Sequence, residues 1–449
     1  MDAGRRYRRR GKRIIFKEKK MKREFVILIA GLLALSVFSG CTRGTGAPAG
    51  AVTITYYTWD DTSIKPIIDA FNESQKEIFV DAQYLPSPDY EVKITTLLTG
   101  RTPMDAYMQK RQPDMFPHYQ NGFIEPLDDL LAKTGVDRTA VDAYINSVSV
   151  DGKVVAFPWR GASYYTYFNK KLFNDKGIPA PDTYVKSGTW TWDKFAEVAG
   201  QVSSGDGQIY GASVYHWGSS QLIMQTQRMK SVLSASGEMD YDDSILRWLS
   251  MRRRMEENKS MWPLVDMKVS AVHYSKQFYD GQIAMLLMGE WFPGQIKSGR
   301  DQDVLKGWSW YTDWGLTRIP SDSEPYVTMG TPTFSHVTSY SKKKEAAFKF
   351  IAWMGGPEGA KIAARSGVLP AMVNEGVIEV LAESIPDPQS LECFIEDKIV
   401  FPVGYNQFGS RVENLINTIQ EEYLLRQFPD AQFDSRLRAG LEEIVRTTN

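Results

Sequence analysis

The chain has 449 residues, with 53 lysines and arginines against 54 aspartates and glutamates, a near-neutral balance that hides two unlike parts. The first 40 residues hold 12 of the basic and 3 of the acidic residues, so the remainder carries 41 against 51, a net charge of -10. An acidic body without a basic patch argues against nucleic acid as a partner, and the roughly 400 residues behind the leader exceed what one hydrophobic core encloses, so two lobes are expected.

Met21-Lys-Arg opens a basic segment, Phe25 to Phe38 is overwhelmingly apolar, and Ser39-Gly40 supplies small residues. That is the layout of a secretory signal, and 1–40 is set aside as one, with a basic leader that precedes a second start at Met21. A nucleic-acid arm is the alternative for the leader, and the signal core directly behind it weighs against that. The apolar run is short for a membrane span. Phe38-Ser39-Gly40-Cys41 resembles a bacterial lipobox, with Phe where Leu is usual, which implies that Cys41 is lipidated. Segment 41–50 reads as a flexible tether. Cys393, the one other cysteine, is expected to be a small buried hydrophobe.

Val52 to Trp59 has the β-branched and aromatic content of a strand. Ile64, Ile67, Ile68 and Phe71 then recur at helical spacing. Ile78 to Tyr84 is a strand, Tyr90 to Leu98 a helix stopped by Gly100, and Pro103 to Met108 a short strand. This β-α-β-α-β order predicts a mostly parallel sheet with helices on its faces. The chain then reaches Asp151-Gly152, an apolar run to Phe157-Pro158, and an aromatic strand from Tyr164. Trp159, Arg160, Tyr164 and Tyr165 stand at that junction, a flat apolar surface beside a fixed cation and phenolic hydroxyls, suited to a neutral polyhydroxylated ligand. Beyond it, Thr191 is expected to cap a helix from Trp192, and Ile209 to Tyr215 to form a strand ending in His216-Trp217. Helices are expected over 220–260, where Arg252-Arg253-Arg254 reads as solvated surface beside Glu256 and Glu257. Ile283 to Met288 is a buried strand ending at Gly289-Glu290-Trp291. Trp314 to Ile319 and Tyr326 to Phe334 are strand-like and expected to return to the first lobe. Ser341 is expected to cap a helix to Met354, with another from Pro357.

In order and spacing these motifs resemble the extracellular solute-binding proteins of ABC importers, the class that includes maltose-binding protein. The resemblance spans about residues 51 to 375. It is carried by Gln112-Pro-Asp-Met with Asn121-Gly-Phe-Ile-Glu-Pro-Leu-Asp, by Asp151 to Phe173, by Thr191 to Phe195, by Phe278 to Met285, and by Lys343 to Phe350 with Pro357-Glu358-Gly359. It implies two α/β lobes of the periplasmic-binding-protein kind, joined by hinge crossings near 159–163, 317–326 and 339–345, with a ligand held between them. The amino-terminal lobe is then 51–160 with 322–342, and the carboxy-terminal lobe 161–321 with 343–449. It also implies transport permeases and an ATPase as partners, a monomer tethered to the outer face of the cell membrane, and no cofactor.

Open α/β sheets bind ligands just past the carboxyl ends of their strands. Candidates there are Trp59, Asp60 and Asp61 after the first strand; Tyr107, Met108 and Gln109 after the third; Trp159, Arg160 and Tyr165 at the junction; and His216 with Trp217. Glu290 and Trp291 follow a later strand, where similar proteins place a sugar-stacking Trp, and Met329 and Thr331 complete the set. Asp60 and Asp61 also suit a helix cap, and Arg160 the neutralisation of an interior carboxylate. Two indole faces covering a sugar supply about 3 kcal/mol, against about 8 for micromolar binding, so hydrogen bonds strengthened by closure must supply the rest.

A secreted glycoside hydrolase using Asp60, Asp61 and Glu290 is a rival, as are a receptor for a non-sugar solute or peptide and a structural surface protein. No Gly-x-Ser-x-Gly elbow or phosphate loop is present, and His118, His216, His273 and His336 lack metal-ligand spacing. The expectation is a membrane-tethered carbohydrate receptor of an ABC importer, without catalytic residues or metal.

Overall fold

A computed structural model describes residues 46–449 apart from Asp60, Asp61, Ala162, Lys306, Trp310, Tyr311, Thr331, Asp397, Lys398, 403–405 and Asn449. The first part of the chain forms β1 (Val52–Thr58), α1 (Ile64–Ser74), β2 (Ile78–Tyr84), α2 (Tyr90–Thr99), β3 (Ala106–Gln109) and β4 (Phe157–Arg160). There follow β5 (Tyr164–Asn169), α3 (Trp192–Val202), β6 (Tyr210–Val214), α4 (Ser244–Glu257), β7 (Ile283–Gly289), β8 (Trp314–Arg318), β9 (Val327–Gly330) and β10 (Thr333–Val337). The last part holds α5 (Lys344–Gly355), α6 (Pro357–Arg365), α7 (Glu375–Leu381), α8 (Pro388–Ile395), β11 (Ile399–Pro402), α9 (Gly409–Leu424) and α10 (Phe433–Thr448), with shorter helices between.

Local rules account for most of these. Ile54, Tyr56 and Thr58 of β1 are buried and alternate with partly exposed neighbours, the period of a half-buried strand. Helix α1 buries Ile64, Ile67, Ile68 and Phe71, the four positions its spacing marked. The Thr191 hydroxyl accepts from the Lys194 amide at 3.2 Å and caps α3 as expected. Ser341 does not cap α5: its hydroxyl donates to Asp105 Oδ1 at 2.6 Å and accepts from the Lys343 amide, and the helix begins at Lys344.

Two sheets organise the chain, in the orders β2-β1-β3-β10-β4 and β6-β7-β5-β8, with β11 and β9 as a separate parallel pair. Both sheets are mixed rather than mostly parallel. Strand β1 runs parallel to β2 and β3, but β10 is antiparallel to β3 and β4. In the second sheet β6 and β7 are parallel while β5 is antiparallel to β7 and β8. Strands that carry the chain between sheets enter from the other end, which reverses them.

The chain passes from the first sheet to the second between β4 and β5, and back again between β8 and β10. Strand β8 pairs with β5 and so belongs to the second sheet, not the first; its residue Trp314 sits opposite Asn169. The stretch from Tyr326 to Phe334 is not one strand. It divides into β9, which pairs with β11, and β10, which enters the first sheet.

The division at 343 also moves. Helices α5 and α6 pack on α1 and β4 of the first lobe, α7 packs on α6, and only α8 returns to β8 of the second. The reason is the apolar face of α5: Phe350 meets the rings of Tyr56 and Phe71 edge-on, each at 5.1 Å, and Phe348 meets Phe157 at 5.9 Å. Each such buried ring contributes about 1.5–3 kcal/mol, far more than an exposed alternative could offer. Helices α9 and α10 pack together and, with α4, close the second lobe, burying Val412, Ile416, Leu437 and Leu441. Among the described residues no helix is long and apolar enough to cross a membrane.

Candidate functional site

Five chain segments meet where β4 hands over to β5. Strand β4 contributes Trp159 and Arg160, and its edge is held by the segment behind α6, through the Gly161 amide on the Leu369 carbonyl at 2.8 Å and the Ala371 amide on the Trp159 carbonyl at 3.1 Å. In β5, Tyr164 pairs with Gly289 of β7, so the residues just past β7, Glu290 and Trp291, lie beside the start of β5. The loop after β6 brings Tyr215 and Trp217. The short helix Tyr274–Tyr279 brings Tyr274.

Arg160 is the centre. Its guanidinium lies 5.3 Å from the centroid of Trp159 on one side and 5.5 Å from that of Trp291 on another, a cation between two indoles. Its Nε stands 3.0 Å from Glu290 Oε1. The approach is an ion pair with poor hydrogen-bond direction, and neither Glu290 oxygen accepts a well-directed hydrogen bond among the described residues. Burial of Glu290 outweighs the pull of Arg160 and pushes its carboxyl up to about 8. Trp159 is fully buried, and its Nε1 has no acceptor among the described residues.

Around this pair runs an aromatic wall. Trp291 meets Tyr164 edge-on at 5.7 Å and Trp217 at 6.1 Å, and Tyr215 joins Trp217 at 4.9 Å and Tyr274 at 5.0 Å. The Tyr274 hydroxyl accepts from Trp291 Nε1 and from Gln295 Nε2, each at 3.0 Å, which fixes the plane of the Trp291 ring. Trp217 and Trp291 are half-buried, so part of each ring still faces outward. Flat apolar rings, a guanidinium and a carboxyl are thus brought together at one place. They offer no nucleophile poised by a base, and no group of three metal-ligating side chains occurs among the described residues.

Of the residues marked from sequence, Trp159, Arg160, Trp217, Glu290 and Trp291 come together here. The others lie apart or outside the description. Trp59 is half-buried in the first lobe and meets Tyr90 edge-on at 5.2 Å. Tyr107 is buried in the same lobe with its hydroxyl 3.1 Å from His118 Nδ1. Gln109 Nε2 donates to the Arg111 carbonyl at 2.8 Å, and its Oε1 has no partner among the described residues. Met329 is part of the second-lobe core. Tyr165 points to the opposite face of β5 from Tyr164 and donates to the Phe394 carbonyl at 2.7 Å, so Tyr164 is the phenol at the junction. Asp60, Asp61, Thr331 and Cys41 lie outside the described residues. Sequence reading missed Tyr274 and Gln295, which follow no strand end.

Comparison with known proteins agrees with this architecture. A binding protein of Brucella abortus (strain 2308) is 22% identical over 420 residues, covering 90% of this chain and 94% of its own. The crystal structure of a sugar transporter from Rhizobium etli in an open conformation superposes with a TM-score of 0.71 at 26% identity, covering 87% of this chain and 99% of that one. An ABC substrate-binding protein from Listeria monocytogenes in complex with cycloalternan gives a TM-score of 0.72 at 21% identity, over 88% and 99%. The family model described as bacterial extracellular solute-binding protein matches residues 66–385. With most of its length inside that match, this chain belongs to the bacterial extracellular solute-binding protein family.

Proposed function

We propose that this chain captures a carbohydrate between its lobes and presents it to the permease of an ABC importer, held at the outer face of the cell membrane by a lipid on Cys41. The observation that carries the saccharide reading is the Arg160–Glu290 pair set among Trp159, Trp217 and Trp291. The half-buried indoles Trp217 and Trp291 offer faces for the C–H surface of a sugar ring, and Arg160 and Glu290 offer a donor and, once Glu290 gives up its proton, an acceptor for its hydroxyls. The Rhizobium and Listeria proteins, described as a sugar transporter and a cycloalternan complex, support the same class of cargo. Trp59, Asp60, Asp61 and Gln109 then serve as outer contacts from the first lobe, with the buried Tyr107 and Met329 as support behind the two faces.

The test is thermal unfolding of the chain from residue 42 onward against a panel of mono- and oligosaccharides, with amino acids and peptides as controls. A ligand at 100 times its dissociation constant adds about 2.7 kcal/mol of stability. A shift with one saccharide group that Trp291→Ala abolishes is the expected result. A shift confined to a peptide or another solute would overturn the cargo.

A further inference from the structure

Helix α9 belongs to the second lobe, where Val412, Ile416, Ile419 and Tyr423 bury its inner face. Its amino-terminal end reaches the other lobe. Arg111, two residues past β3, places Nη2 3.2 Å from Glu413 Oε2 and 3.4 Å from Asn414 Oδ1. One turn of chain further on, Ser410 Oγ donates to Asp114 Oδ1 at 2.7 Å. These contacts join side chains about 300 residues apart in sequence across the gap between the two sheets. The pair is partly screened from water, with side-chain exposures of 31% for Arg111 and 17% for Glu413. Burial works against the Arg111 charge, but Glu413 and Asp114 outweigh it and hold the pKa above its ordinary value.

The same helix seats the loop that carries Trp217. Gln420 Nε2 donates to the His216 carbonyl at 2.8 Å. At Gly218 the backbone lies so close that an added Cβ would sit 2.6 Å from the Glu413 carbonyl oxygen. Glu413 therefore touches the first lobe with its side chain and the Trp217 loop with its backbone.

We propose that Arg111 and Glu413 are positioning residues that set the balance between open and closed lobes, with α9 coupling that contact to the placement of Trp217. The inference rests on family membership and not on the identity of the solute. When the lobes part, Arg111 and Glu413 each lose a partner and return to water; when they meet, the pair forms and the Trp217 loop is fixed beside Trp291.

Spin labels on cysteines replacing the exposed Glu73 of α1 and Arg254 of α4 report the distance between lobes by pulsed electron resonance, without any added ligand. The expected result is a shorter-distance population that Arg111→Glu reduces about five-fold, the weight of an ion pair at the upper end for partly exposed pairs. Adding Glu413→Arg to that variant is expected to restore it. Glu413→Gln, which keeps shape and removes charge, gives the same loss should the reversal fail to fold. A distribution unchanged by Arg111→Glu and Glu413→Gln, or a loss that the charge swap does not repair, overturns the proposal. Because no solute enters the measurement, failure of the saccharide reading leaves this result unaffected.

Discussion

Arg160 Nε and Glu290 Oε1 stand 3.0 Å apart, one on the last strand of the first sheet and the other just past β7 of the second, so the ion pair spans the junction between lobes. Desolvating both charges would offset most of their attraction, so the pair lends little stability and the Glu290 carboxyl keeps its proton. The consequence is a pH dependence.

Burial raises the Glu290 carboxyl from 4.5 to about 8, so the folded chain holds a proton that the unfolded chain releases across that window. The contribution to stability is complete below pH 4.5 and is lost as pH rises through 8. The urea midpoint of the wild type is expected to fall between pH 5 and pH 9, and Glu290→Gln to remove that part of the slope. Equal slopes in the two proteins would show that other groups govern it.

A solute whose hydroxyls donate to Glu290 favours its charged form. Binding near pH 7 is then expected to expel a proton, up to about one per protein, since the group starts mostly protonated there. Calorimetric titration in phosphate and in Tris, with the saccharide selected by thermal shift, reads this as a buffer-dependent heat. Glu290→Gln should give the same heat in both buffers. A wild-type heat independent of buffer would separate Glu290 from the ligand.

Gly289 is constrained by its neighbour rather than by its own backbone angles: a Cβ there would lie 2.1 Å from Cζ3 of Trp291. Gly289→Ala is therefore expected to drive the indole from its place between Arg160 and Tyr164, at a cost of about 1–3 kcal/mol. The readouts are a lower unfolding temperature, red-shifted tryptophan emission and weaker saccharide binding. Unaltered emission would mean that the ring accommodates the methyl group in place.

Strand ends were legible because their signal is local. Apolar runs stopped by Pro158, His216 and Gly289 placed Arg160, Trp217, Glu290 and Trp291, and the fold brings those ends together. The choice between Tyr164 and Tyr165 was not legible, since both are Tyr and a strand turns successive side chains to opposite faces. Tyr274 gave no signal at all, because it opens a short helix after the left-handed Ala271 and reaches the site only through the tertiary fold. The amphipathic pattern of α5 announced a buried face but not the sheet that receives it; Phe350 between Tyr56 and Phe71 decides that. Strand β8 was legible as a strand, while its partner β5 depends on a pairing nearly 150 residues distant.

The tether makes its own prediction. If Cys41 is the lipid acceptor, cells fed a labelled fatty acid will label the full-length chain, and Cys41→Ser will abolish the label and release the protein from the membrane fraction. Release without any labelling in the wild type would indicate ordinary secretion.

Tyr274 tests whether the orientation of Trp291 matters as much as its presence. The hydroxyl accepts from two donors, Trp291 Nε1 and Gln295 Nε2, and burial raises its pKa to about 12, so it stays protonated across the working range. Tyr274→Phe keeps the ring that packs on Tyr215 and Phe292 but leaves both donors without that acceptor, at a cost of about 1–3 kcal/mol. If the bond serves only stability, unfolding temperature falls and saccharide affinity does not. If it holds the indole for stacking, affinity falls as well, and Tyr274→Phe adds little once Trp291 is already Ala, because the two changes then remove one and the same interaction.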